Sequence, residues 1–89
     1  MKTARVVITN KLGLHARAAA KLVQLSHQFD STIRLKKGNE EADAKSIMDI
    51  LMLSGAKASV LTLSVEGSDE DSALEEIQRL IDGKFGEDE

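Results

Sequence analysis

The stretch Val60-Leu61-Thr62-Leu63-Ser64-Val65-Glu66 decides the fold. Its side chains alternate, placing Leu61, Leu63 and Val65 on one face against Thr62, Ser64 and Glu66 on the other. A sheet built from such a strand is buried on one face and wet on the other, the habit of antiparallel sheets, so its helices must gather on a single side. Downstream, Ala73, Leu74, Ile77, Leu80 and Ile81 recur at helical spacing. Ser68 and Asp71 form a capping-box-like start, Glu75 and Arg79 are spaced to pair, and Gly83 suits the C-terminal cap. Gly86-Glu87-Asp88-Glu89 then reads as a frayed acidic tail.

Upstream, a helix opens near Ser46 and stops at Gly55. Thr32-Ile33-Arg34-Leu35-Lys36 alternates with Ile33 and Leu35 inward, and Lys37-Gly38-Asn39 turns into a short strand around Glu41-Ala42. Residues 16–29 change to a helical period, with Arg17, Lys21, Gln24 and Gln28 on one stripe and Ala16, Ala19, Leu22, Val23 and Phe29 on the arc facing the core. Arg5-Val6-Val7-Ile8-Thr9 is a β-branched strand, followed by the loop Asn10-Lys11-Leu12-Gly13-Leu14. The order β-α-β-β-α-β-α predicts an α+β open-faced sandwich: a four-stranded antiparallel sheet with three helices on one face.

A chain of 89 residues with 42% apolar and 30% charged side chains forms one domain over 1–89 around a single core. With no cysteine, disulfides, thiolate chemistry and the common structural zinc sites are excluded. A net charge of −3 and an aromatic complement of only Phe29 and Phe85 oppose nucleic-acid binding. No apolar run reaches the length of a bilayer span, and Met1-Lys2-Thr3-Ala4-Arg5 leads into a strand and not a signal peptide, so a cytoplasmic monomer is expected.

The chemistry concentrates at Gly13-Leu14-His15-Ala16-Arg17-Ala18-Ala19-Ala20. With His15 as N-cap, the free amides of Ala16, Arg17 and Ala18 and about half a positive charge from the helix dipole favour an anion there. Arg17 adds a guanidinium suited to two phosphate oxygens. The same field opposes protonation of the ring and leaves one nitrogen free as a nucleophile. No Gly-rich nucleotide loop, magnesium-holding carboxylate pair or Ser-His-Asp constellation accompanies it, so the group must come from a partner, and neither cofactor nor metal is expected. His27 lies roughly 18 Å further along the helix, too far to share a metal with His15, and reads as a surface residue.

Gly13-Leu14-His15-Ala16-Arg17-x-Ala19-Ala20 resembles the active-site signature of HPr, the histidine-containing phosphocarrier family of the bacterial phosphoenolpyruvate-dependent phosphotransferase system. Element order and length extend the resemblance over nearly the whole chain. It implies that His15 is phosphorylated on Nδ1 by enzyme I and passes the group to enzyme IIA domains, with Arg17 as phosphate clamp. One departure is Ala18, where the family usually has proline; it removes a local rigidity and restores an N–H. Asn10-Lys11-Leu12-Gly13, Leu51-Met52-Leu53, Ala56-Lys57 and Phe85-Gly86-Glu87-Asp88 look like the nitrogen-related paralogue NPr, whereas Ser46-Ile47-Met48 resembles sugar-system HPr.

Ser46 caps its helix, with Asp49 three residues on. Ala44-Lys45-Ser46-Ile47-Met48 also resembles the regulatory segment that HPr kinase/phosphorylase modifies. From Ile47 to Leu53 only Asp49 is polar, so Ile50 and Leu53 are read as core and Ile47, Met48 and Leu51 as an exposed adaptable patch. The resemblance implies docking of partners there, with Ala16, Arg17 and Ala20 contributing. A rival class is a regulatory binding module of the same fold that controls partners without moving phosphate.

Overall fold

The computed structural model describes residues 1–88. Its elements are β1 (Lys2–Val7), α1 (Ala16–Ser26), β2 (Thr32–Lys37), β3 (Glu40–Asp43), α2 (Ile47–Leu53), β4 (Val60–Glu66) and α3 (Glu70–Asp82), closed by one 3₁₀ turn over Lys84–Gly86. The strands form one sheet in the order β1-β4-β2-β3, every neighbouring pair antiparallel. Register aligns the apolar side chains: Val6 faces Leu61, Ile33 faces Val65, and Leu35 lies between Leu63 and Ala42. All of these are buried, whereas the alternate positions Thr62, Arg34, Lys36 and Glu41 are exposed. The expected open-faced sandwich is therefore present, with three helices covering the apolar face.

α3 presents Ala73, Ile77 and Ile81 to the core, half-buries Leu74 and Leu80, and carries the expected Arg79–Glu75 pair at 2.8 Å. Its cap differs from the Ser68/Asp71 reading. Asp69 is the N-cap residue and makes no capping bond; instead its carboxylate accepts hydrogen bonds from the Asp30 N–H at 2.8 Å, the Ser31 N–H at 3.0 Å and the Ser31 hydroxyl. A side chain placed to cap one helix thus ties that helix to the α1–β2 turn. The Gly67 N–H donates to Glu70 Oε1, which closes the turn ahead of the helix.

α1 ends at Ser26, three residues short of Phe29, with His27 as its C-cap. Its buried face is Ala18, Ala19, Leu22 and Ser26, while Ala16, placed on the core arc by periodicity, is exposed. α2 buries Ile50 and Leu53 as expected. It stops at Ser54, a left-handed residue at φ 54, and not at Gly55. β1 begins and ends earlier than the 5–9 run, because Ile8 leaves the ladder to exchange hydrogen bonds with Ser59 and Ala58.

The largest departure lies at the C-terminus. Phe85 is fully buried, Lys21 Nζ donates to the Phe85 carbonyl at 2.6 Å, and the Gly86 and Glu87 amides donate to Gly83 and Lys84 carbonyls. Lys84 and Phe85 both hold left-handed conformations, at φ 58 and 55, which cost of order 1–3 kcal/mol each. Burying the Phe85 ring returns about 1.5–3 kcal/mol, and the lysine–carbonyl bond adds to it, so the fold has anchored this segment at the expense of backbone strain. The frayed tail is corrected for Gly86 and Glu87; Asp88 is exposed and outside any element, and Glu89 lies outside the described residues.

Its hydrogen bonds, that from the Ser31 hydroxyl foremost, hold the Asp69 carboxyl below the usual carboxylate range. A depressed folded pKa contributes stability that is full above the unfolded aspartate value of about 3.9 and lost as pH falls through the folded one. Asp69→Ala should therefore lower the urea midpoint more at pH 7 than at pH 3. Equal differences at both pH values would show that the carboxylate's charge is not what matters.

Candidate functional site

The loop before α1 is shaped by two glycines. Gly13 has φ +64, and a Cβ there would stand 2.3 Å from the Gly55 carbonyl oxygen. That oxygen accepts the Leu14 N–H at 2.8 Å, and a Cβ on Gly55 would lie 2.6 Å from Leu14 Cδ1. Gly55 is thus required for close approach and not for a helix stop. The clasp drives Leu14 into the core, only 5% exposed, and so sets the direction in which the next residue leaves.

That residue is His15, extended at φ −75 and ψ 178 as the N-cap of α1. Its carbonyl accepts the Ala19 N–H at 2.8 Å, the first bond of the helix. No side chain caps this end, so the amides of Ala16, Arg17 and Ala18 have no intrahelical partner, and no acidic residue occupies the first turn to neutralise the dipole. The His15 side chain retains 27% of its accessible surface. Lys11, Leu12, Ala16, Arg17, Glu87 and Asp88 line the open depression around it. The expected histidine, guanidinium and helix terminus are therefore brought together. Ala18 presents its amide end to this turn while its side chain is fully buried.

Two residues that sequence reading did not single out complete the arrangement. His15 Nε2 is hydrogen-bonded to Glu87 Oε2, and Glu87 Oε1 accepts a bond from Asn10 Nδ2 at 3.0 Å. Asn10 is fully buried and its Nδ2 also donates to the Gly13 carbonyl at 2.8 Å. Both neighbours are acceptors, which fixes the amide's orientation and leaves Asn10 Oδ1 buried without a partner among the described residues. The His15 hydrogen bond above all, then that of Asn10, hold the Glu87 carboxyl below its ordinary range against the opposing effect of partial desolvation. The one available signal in the sequence was Phe85, a large apolar residue beyond the helix cap that demanded a pocket.

Ser46 is half-buried as the N-cap of α2, its hydroxyl accepting the Asp49 N–H at 3.3 Å. The capping box does not close: the Asp49 carboxylate accepts the Asp43 N–H at 3.1 Å. His27 is exposed and its ring is bonded to the Lys45 carbonyl at 3.0 Å, beside Ser46. Ile47, Met48 and Leu51 are exposed as expected, and Met52, 73% exposed, extends the apolar surface that sequence reading drew without it. Ala20 is half-buried. Among the described residues no three His, Cys, Asp or Glu side chains cluster to hold a metal, and no helix is long and apolar enough to cross a membrane.

Fold and site together define a class: an open-faced α+β sandwich that displays a histidine at the uncapped start of its first helix. The family model for the PTS HPr component phosphorylation site matches residues 2–83. The phosphocarrier protein HPr of Cupriavidus necator is 46% identical over 92% of both chains, and the phosphocarrier protein NPr of Shewanella violacea is also 46% identical, over 93% of this chain and 91% of that one. The crystal structure of HPr-C-His from Thermoanaerobacter tengcongensis superposes with a TM-score of 0.96 at 45% identity, covering all of both chains. The chain belongs to the HPr family of phosphocarrier proteins of the phosphotransferase system.

The Gly13–Gly55 contact makes one position exacting. Gly13→Ala should lower stability by about 1–3 kcal/mol, from a left-handed φ and a backbone clash, measurable by urea denaturation. An unchanged midpoint would show that the two loops need no such close approach.

Proposed function

We propose that this chain carries phosphate on His15, taking it from phospho-enzyme I and delivering it to enzyme IIA domains as a single copy of the chain. The observation that carries the reading is the position of the imidazole, open to solvent at a helix start whose amides lack internal partners and whose first turn holds no carboxylate. In the transfer the lone pair of a ring nitrogen, Nδ1 by family resemblance, attacks phosphorus. A P–N bond forms there, the bond to the donor atom breaks, and its electron pair leaves with the donor. The amides of Ala16, Arg17 and Ala18 and the Arg17 guanidinium supply positive potential to the phosphoryl oxygens, so the protein contributes positioning and charge stabilisation.

Partners dock on the surface formed by Ala16, Arg17 and Ala20 of α1 with Ile47, Met48 and Leu51 of α2. Exposed apolar side chains on α2, the helix that packs against α1, support that reading, since one adaptable surface serves donor and acceptor in turn. Ser46 is the regulatory position for HPr kinase/phosphorylase. A phosphate there would set a charge of about −1.5 to −2 beside Ile47 and Met48 and repel acidic partners.

With phosphoenolpyruvate, magnesium and a cognate enzyme I, the wild type should gain an acid-labile, base-stable phosphate that His15→Ala lacks. Arg17→Ala should still accept it, about tenfold or more slowly, since a charge-assisted hydrogen bond contributes about 1.5–3 kcal/mol. No phosphate on the wild type would instead favour a regulatory binding module.

A further inference from the structure

The contact between Glu87 and His15 spans 72 positions of sequence and is prepared from both ends. On one side, the buried Phe85 ring, the Lys21 bond to the Phe85 carbonyl and the Glu87 N–H bond to the Lys84 carbonyl fix the backbone that carries Glu87. On the other, the buried Asn10 amide, held by Gly13, donates to Glu87 Oε1 and leaves Oε2 for the ring. Such a construction exceeds what is needed to pin a terminus. Phe85 and Lys21 already do that.

We propose that Glu87, oriented by Asn10, is a positioning residue for phosphoryl transfer that sets which nitrogen of His15 is the nucleophile. An ionised carboxylate only accepts, so the Nε2 facing it carries the hydrogen, and the neutral ring must then hold its lone pair on Nδ1. When Nδ1 attacks, the ring gains positive charge while the Nε2 proton stays in place. The Nε2–H bond to a carboxylate strengthens at that moment, as the aspartate of a Ser-His-Asp triad supports its imidazolium without taking the proton. Asn10 keeps the carboxylate aimed, and its acceptors leave it no alternative rotamer of equal quality. This inference rests on His15 being the acceptor.

Nitrogen NMR of the uncharged ring tests the tautomer with no partner present. Wild type should show a pyridine-like Nδ1 and a pyrrole-like Nε2, and Glu87→Ala should move both signals toward an averaged value. Phosphate acceptance from enzyme I should slow about tenfold in Glu87→Ala, and Glu87→Gln, whose single amide oxygen cannot serve both Asn10 and Nε2–H and which lacks the charge, should not restore it. A Glu87→Ala protein with wild-type nitrogen signals and a rate within twofold overturns the proposal, even if its thermal midpoint falls, because that is the signature of a residue that only pins the chain end. If wild type accepts no phosphate, the carrier reading fails by itself; tautomer signals that still depend on Glu87 would then uphold the positioning of the ring alone.

Discussion

Everything in this molecule follows from burying one face of the sheet and leaving the other wet. Val6, Ile33, Leu35, Leu61, Leu63 and Val65 lie on one side in register, so the three helices have a single surface on which to pack. Each fully buried aliphatic side chain contributes about 1.5–3 kcal/mol, far more than any surface ion pair in the structure, so the helices' positions are set by apolar contact and not by charge. A helix lying flat on such a sheet has its ends at the rim. The start of α1 is therefore at the surface with its amides outward, and an anion-attracting site needs no cavity.

What the apolar layer leaves undetermined, close backbone contacts settle. The Gly13–Gly55 approach seats Leu14, and Leu14 in the core leaves His15 extended at the helix start. The placement of the His15 ring thus derives from two residues without side chains, on loops that precede α1 and follow α2. This ties the loop that leads into the histidine to the loop that leaves α2.

Periodicity revealed the strands and helices because a half-buried element prints its two environments on alternating residues. It failed where that contrast is missing. Alanine occupies positions 16, 18, 19 and 20, so nothing in the pattern distinguishes exposed Ala16 from buried Ala18. The place of His15 at the start of α1, with Arg17 in its first turn, was legible because the signals that start a helix are local. Asp69, bonded to a turn 38 positions away, and Glu87, bonded across 72, were not, since an acidic residue near a chain end or before a helix already has an adequate local explanation. Gly55 was read for conformational freedom when its role is absence of volume, two meanings of glycine that a sequence does not separate.

A carboxylate at an anion site presents an electrostatic problem. Glu87 and Arg17 line the same open depression, and a phosphoryl group arriving there meets a negative neighbour. In the proposed transfer the cost is limited by direction, because the carboxylate is engaged by Nε2 and Asn10, on the far side of the ring from Nδ1. It is also useful. A carrier must release its cargo, and a site offering only positive potential would hold phosphate too well, since transfer requires the bound and free states to lie close in free energy. On the proposed reading, the cationic helix end and Arg17, sharing one depression with an anchored carboxylate, give a charge balance suited to holding phosphate briefly.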